Sequence, residues 1–201
     1  MKQLVIIGAS GHGKVVADIA RRNEYGNILF LDDDESLVSC DSYPIVGKCG
    51  NFTDYNCDFV VAIGNARTRQ RIQRMLEAGG KTVVTLIHPN AVIGANVSIG
   101  MGTVVMAGAV INSDAEIGRG CIINTCSSVD HDCKLEDFVH VSVGTHIAGT
   151  CVIGERTCLG AGVTVINNTR ICGDCVIGAG AVVIRNIEKS GTYVGCPARM
   201  I

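Results

Sequence analysis

From Ile87 to Val183 every sixth residue is isoleucine, valine or leucine, and the series passes through Ile93, Val105, Val129, Val141, Ile147 and Val165 without a break. A step of six fits neither an amphipathic helix nor a half-buried strand, whose apolar positions recur at about 3.6 and about 2 residues. It is the mark of hexapeptide β-helix repeats, in which each repeat adds one short strand to a stacked coil. Two residues before the aliphatic position sits something small, as at Ala91, Val97, Thr103, Cys121, Ser127, Cys133 and Cys175. Glycine often follows it directly, as at Gly94, Gly100, Gly118, Gly154 and Gly178. Three hexapeptides close one triangular coil, with the aliphatic and the small residue inward and the others turning the corner. Residues three repeats apart therefore stack.

Composition agrees with a core of small side chains. Aromatic residues are 4% of the chain and tryptophan is absent, yet 47% is hydrophobic and there are 25 glycines. The net charge of −2 lacks the basic footprint of a nucleic-acid binder. Eleven cysteines, an odd number at irregular spacing, argue against a disulfide framework, and no zinc ribbon is expected. Four of them, Cys121, Cys133, Cys151 and Cys175, fall on the small inward position and read as compact core residues. The apolar run near the N-terminus is too short for a signal h-region or a membrane span, which leads us to expect a reduced, cytoplasmic protein.

Residues 1–86 follow a different grammar. Leu4–Ile7 is a short apolar run ending in glycine, as in a buried parallel strand. Val15, Val16, Ile19 and Ala20 recur at helical spacing ahead of Arg21 and Arg22. Further strands are expected at Ile28–Leu31, Phe59–Ile63 and Thr82–Ile87, with a helix over Arg67–Ala78 closed by Gly79 and Gly80. The whole predicts a Rossmann-like α/β domain over 1–86 followed by an all-β helix over 87–201.

The loop Gly8-Ala9-Ser10-Gly11-His12-Gly13 follows the first strand and opens the first helix. Amides at a helix N-terminus attract anions, and glycines let a phosphate approach closely. The spacing G-x-x-G-x-G is not the dinucleotide fingerprint, so a nicotinamide cofactor is not supported. Asp32, Asp33 and Asp34 end the second strand and Gly64 follows the third, at the edge of the sheet where open α/β folds bind ligands. Together they point to a nucleotide-sugar site.

The histidines of the coil are placed by register. His131 stands two past the inward Val129, at a corner between Asp130 and Asp132, and one coil further along is Gly149. His140 and His146 precede Val141 and Ile147 and face outward from adjacent flat sides, so in one chain they diverge and no metal site is expected. His88 lies before Pro89. An imidazole beside a carboxylate is suited to general base catalysis near neutral pH. A glycine stacked on it leaves room for a substrate and an N–H to polarise a carbonyl. On the residues alone, SSVDHDC is either such a catalyst or a polar corner that happens to contain a histidine.

The segments IIGASGHGKVVADIA, FLDDD, VAIGNARTR, LIHPNAVIG and TYVGCPAR resemble the hexapeptide-repeat sugar O- and N-acyltransferases of bacterial glycan synthesis. The resemblance covers essentially the whole chain. It is strongest to acetyltransferases of UDP-4-amino-4,6-dideoxy sugars in bacillosamine-type pathways and to the related sialic acid O-acetyltransferases. It implies a left-handed parallel β-helix, homotrimers with active sites between neighbouring prisms, acetyl-CoA as co-substrate and no metal. It implies that Ser10, Gly11 and His12 contact the nucleotide sugar, with Asp32 and Asp33 at the uracil and Gly64 beside them. It makes His131 the base and the Gly149 amide the donor to the acetyl oxygen. Asn124 falls near the active site and His140 against acetyl-CoA, with the pantetheine arm along the backbone of Ala161 and Ala179. One departure is Asp132, where the bacillosamine-type enzyme has glutamate. The expected activity is N-acetylation of a nucleotide-linked amino sugar by direct attack on acetyl-CoA, without a covalent intermediate. The rivals are O-acetylation of sialic acid or another sugar, and a silent scaffold that only binds nucleotide sugar.

Overall fold

A computed structural model describes residues 2–201, and the chain divides into two compact units between Pro89 and Asn90. The first unit is a parallel sheet with helices. Strand β1 (Lys2–Ile7) lies between β2 (Tyr25–Leu31) and β5 (Asp58–Val61), and β6 (Thr82–Val83) extends the sheet beyond β5 in the order β2-β1-β5-β6. Helices α1 (Gly11–Arg22) and α2 (Ala66–Ala78) follow β1 and β5. Because β1 is central, Leu4, Val5, Ile6 and Ile7 are all fully buried, as expected for a strand covered on both faces. One layer of the core joins Val5, Ile7, Phe59, Val61, Ile72 and Leu76. Between β2 and β5 the chain also forms a small hairpin, β3 (Ser39–Cys40) with β4 (Tyr43–Pro44), and a 3-10 turn at Cys49–Asp54. Hydrophobic periodicity did not announce either, since both are too short to carry a period. The expected strand Thr82–Ile87 is broken into Thr82–Val83 and Leu86–Ile87. Ile87, although in phase with the repeat, is tied to the first unit by a hydrogen bond from Asn23 Nδ2 to its carbonyl at 3.0 Å.

The second unit is a three-sided parallel coil of two-residue strands. Each strand pairs with the one three repeats on: Ile111 with Val129, Val129 with Ile147, and Ile147 with Val165. The aliphatic series is buried from Val105 to Val183, and the small position beside it is buried from Thr103 to Ala181. Ile93, in the first coil, pairs only onward to Ile111 and stays 36% exposed. Corners repeat as strictly as strands. The residue before each small position has a left-handed backbone, at Asn96, Asp114, Asp132, Asn168 and Asp174, among others, or at a glycine such as Gly108 or Gly144. Asparagine, aspartate and glycine bear that conformation at least cost.

All eleven cysteines are free, and Cys121, Cys133, Cys151 and Cys175 are buried in the prism as the repeat predicted. Their spacing is not wholly irregular, however. Cys172-Gly173-Asp174-Cys175 is a C-x-x-C sequence spanning one corner, and its two sulfurs lie 3.5 Å apart. After the last coil the chain adds the strand Thr192–Val194 beside Val176–Ile177 and doubles back as Arg199–Met200.

Candidate active site

The corner holding His131 is built by competition among three neighbouring polar residues. Asp130 turns away from the imidazole: its Oδ1 accepts from Asn112 Nδ2 at 2.7 Å and from the His131 backbone N–H at 2.8 Å. Asp132, at φ 58°, is the left-handed residue of the turn, and its carboxylate swings back to meet His131 Nδ1 at 2.7 Å. With Nδ1–H donating to Asp132, the lone pair of the imidazole is on Nε2. The side chain is more than half exposed. The Asp132 hydrogen bond, assisted by the nearby Asp130 charge, raises its pKa above the ordinary imidazole value.

Gly149 lies directly beneath this ring. A Cβ there would stand 2.5 Å from His131 Nε2 and 2.6 Å from Cε1, so any side chain would displace the imidazole. The space a glycine was expected to leave for substrate is thus occupied by the histidine itself. The carbonyls of the corner are engaged, with Thr150 N–H donating to His131 O and Asn168 N–H to Gly149 O. Among the described residues no acceptor receives the Gly149 N–H.

The other expected coenzyme residues lie elsewhere on the same prism. Asn124 follows the strand Ile122–Ile123, and Ala161 and Ala179 follow Cys158–Leu159 and Val176–Ile177, so all three lie along one edge, with Ala179 stacked on Ala161 and Asn124 one residue out of register with them. His140 joins that edge, with its Nε2 3.3 Å from Asn124 Nδ2. His131 and Gly149 follow strands of the next face and stand on the next edge. Between the two edges runs a face whose strands present Val92, Val110, Ser128, His146, Thr164 and Val182, with the Asp130 carboxylate at its margin. Ser128 Oγ and His146 Nδ1 are 2.8 Å apart on it. A single chain does not bring its two sets of expected residues together. No cluster of three metal-ligating side chains occurs among the described residues.

In the first unit, a cavity of about 240 Å³ sits at the carboxyl ends of β1, β2 and β5. Gly8, Ser10, Asp32, Asp33 and Gly64, five of the residues singled out in the sequence, line it. The loop is held by Asp32, whose Oδ2 accepts from Ala9 N–H at 2.6 Å, while Asp33 Oδ1 accepts from Cys49 N–H at 2.9 Å. Gly64 and Gly11 face open space, where a side chain would meet nothing within 4 Å. Gly11 and His12 are not among the lining residues. His12, in the first turn of α1, is directed inward. Burial, with a smaller contribution from the Arg69 charge, pushes its pKa down to about 4, and its Nε2 has no partner among the described residues. Arg69 itself is buried and donates to the carbonyls of Ile63 and Gly64, shaping the third loop. Thr68 and Arg71, which also line the cavity, were not singled out in the sequence. They come from the first turns of α2, whose start is marked by Asn65 capping Thr68 N–H at 3.0 Å. That cap was the available signal.

A glycine-looped α/β unit joined to a three-sided hexapeptide coil, with an aspartate-anchored histidine at a corner, defines the hexapeptide-repeat acyltransferase class. Comparison with known proteins narrows this. Residues 3–76 match the family model described as the PglD N-terminal domain. The acetyltransferase domain of PglB from Neisseria gonorrhoeae is 38% identical, with all of both chains covered and a TM-score of 0.95. The same domain was also solved with acetyl coenzyme A, and there identity is 39% and the TM-score 0.96, over 100% of this chain and 99% of that one. Perosamine N-acetyltransferase from Caulobacter crescentus, solved with CoA and GDP-perosamine as a variant altered at one histidine, is 36% identical over 100% of this chain and 97% of its own, at a TM-score of 0.95. The UDP-N-acetylbacillosamine N-acetyltransferase of Bacillus subtilis is 35% identical over 113 residues, a match that spans about half of each protein, 53% of this chain and 52% of the relative. The chain belongs to this family of nucleotide-sugar N-acetyltransferases.

Proposed function

We propose that the protein transfers the acetyl group of acetyl-CoA to the amino group of a nucleotide-linked 4-amino sugar, with His131 as general base. The observation that carries this is the corner itself: His131 Nδ1 stands 2.7 Å from the Asp132 carboxylate, an anchor that directs the imidazole lone pair to Nε2, and Gly149 lies beneath the ring. The sugar amine attacks the thioester carbonyl while His131 Nε2 takes its proton. The oxyanion of the tetrahedral intermediate accepts from the Gly149 N–H, and collapse expels the CoA thiolate, which recovers the proton from the imidazolium. Asp132 holds the tautomer and stabilises the cation. No cysteine of the chain takes part; Cys133 points into the prism, 3.2 Å from Ala148 O.

The nucleotide sugar is assigned to the cavity of the first unit, with Ser10 and the loop amides toward its phosphates and Asp32 and Asp33 toward the base. Arg71 adds a cation to the same cavity. The uracil nucleotide is our reading from the bacillosamine-type relative, which matches over about half of the chain; the perosamine enzyme, matched over the whole chain, was solved with a guanine nucleotide sugar. A CoA-release assay over UDP- and GDP-linked amino sugars and sialic acids tests both choices. Turnover of an amino sugar and none of a hydroxyl acceptor is expected, and the reverse would transfer the assignment to an O-acetyltransferase. His131→Ala is expected to cut kcat by roughly 10²–10⁴-fold while leaving the fold intact, and a folded variant with undiminished kcat would refute the base.

We further infer that the working unit is a trimer. His131 stands on one edge of the prism while Asn124, His140, Ala161 and Ala179 lie along another. A thioester held on the second set reaches the base only where one chain's edge meets its neighbour's. The face between the edges, whose one carboxylate at Asp130 is hydrogen-bonded to Asn112, suits burial between copies.

A further inference from the structure

One pair of reactive side chains has no part in the acetyl transfer. Cys172 and Cys175 bracket the corner Cys172-Gly173-Asp174-Cys175 in the last full coil, with Asp174 in the left-handed conformation at φ 56°. The turn sets the two sulfurs 3.5 Å apart. A disulfide requires about 2.0 Å between sulfurs, so closure asks for a further approach of roughly 1.5 Å, within reach of side-chain rotation at a four-residue turn. The two thiols differ in access. Cys172 is half-buried, whereas Cys175 occupies the small inward position of the repeat and is 1% exposed. The turn also anchors the chain that follows the coil: Cys172 N–H donates to Ile187 O at 2.8 Å, and Cys175 Sγ lies 3.8 Å from Lys189 O, the same carbonyl that accepts from Tyr193 Oη.

We propose that Cys172 and Cys175 are a thiol–disulfide exchange site that takes a small-molecule disulfide of the glutathione type as oxidant. The Cys172 thiolate, its proton lost to solvent, attacks one sulfur of the disulfide. That forms a mixed disulfide and releases the first thiolate, which is protonated by water. Cys175 then loses its proton and attacks Cys172 Sγ, breaking the mixed disulfide and expelling the second thiolate. The two cysteines are oxidised by two electrons, and one external disulfide is reduced to two thiols. Burial, and secondarily the hydrogen bond with Cys172, pushes the Cys175 thiol up to about 12. The attack needs the Cys175 thiolate, so the second step accelerates as pH rises.

The tryptic peptide Ile171–Arg185 contains these two cysteines and no other. The intact protein, incubated with oxidised glutathione and quenched with acid, is digested and weighed. The expected product is this peptide lacking two hydrogens, while the exposed Cys126 and Cys196 carry glutathione. Cys175→Ala removes the resolving thiol and keeps the fold, since Ala115 and Ala181 already fill the same buried register. In that variant the mixed disulfide at Cys172 is expected to persist. The proposal is overturned if the wild-type peptide retains two thiols while Cys126 and Cys196 react. It is equally overturned if wild type and Cys175→Ala accumulate the same lasting mixed disulfide.

Discussion

At the residue scale the decisive contest is between two aspartates for one imidazole. Asp130 is drawn off by Asn112 and by the His131 backbone, which leaves Asp132 as the partner of Nδ1. The raised pKa of His131 means that the base is lost to protonation as pH falls through it. Asp132→Asn removes the largest cause of that shift. The acidic limb of kcat/KM should therefore move to lower pH while kcat falls by roughly 10²–10⁴-fold. A limb that stays in place would show that Asp132 does not set the base. Asparagine is the right replacement because it tolerates the positive φ at this corner, whereas alanine would add backbone strain. His12 makes a second prediction. Its pKa is about 4 in the folded chain against 6.5 for a free imidazole, so the unfolded chain binds more protons below that value. The neutral form's contribution is fully present above about pH 6.5 and is lost as pH falls toward the folded value. Urea midpoints measured from pH 7.5 down to pH 5 (roughly the window defines) should fall more steeply for the wild type than for His12→Asn. Parallel slopes would contradict the buried neutral ring.

The element scale shows where the repeat is under strain. Most corners place asparagine, aspartate or glycine at the left-handed position, but Thr150 stands there with φ 60°. A β-branched residue in that region costs about 1 kcal/mol or more. Thr150→Asn is therefore expected to stabilise the protein by about 1 kcal/mol, read as a raised denaturation midpoint, and an unchanged or lowered midpoint would show that Thr150 makes a compensating contact. The elements themselves were unevenly legible. Each coil strand was foreseen because the aliphatic step of six is imposed by every neighbouring coil in turn. The β3–β4 hairpin and the 3-10 turn were not, since elements of two to six residues offer no period to read. The N-terminal strands were located to within a few residues, with β2 beginning three residues earlier, at Tyr25.

For the whole molecule, the division of site residues between two edges leads to a mixing experiment. His131→Ala lacks the base, and Ala161→Glu obstructs the opposite edge without touching it. Each alone should be inactive. Co-expressed, they should recover activity, because some sites then pair an intact His131 edge with an intact Ala161 edge. No recovery from well-folded mixed oligomers, or a monomeric wild type in light scattering, would place the whole site within one chain.

Sequence alone determined the coil, the stacking of Gly149 on His131 and the glycine-loop cavity. The first two follow from periodicity, since once strands pair three repeats apart every later position is set by counting, and the cavity follows from the loops that end the first three strands of the α/β unit. Tertiary structure decided what counting cannot reach. Of the two hydrogen bonds that hold Asp130, one comes from the adjacent His131 backbone and the other from Asn112, a full coil away, so the choice of Asp132 is not a purely local property. His12 was expected at the nucleotide but turns inward, because the helical phase of α1 and the buried Arg69 of α2 determine its surroundings together. The C-x-x-C spacing of Cys172 and Cys175 can be read from the sequence, but only the turn between them sets their sulfurs 3.5 Å apart. Repetition along the backbone is written in the sequence; the pairing of side chains is settled only where distant segments compete for the same donor, acceptor or space.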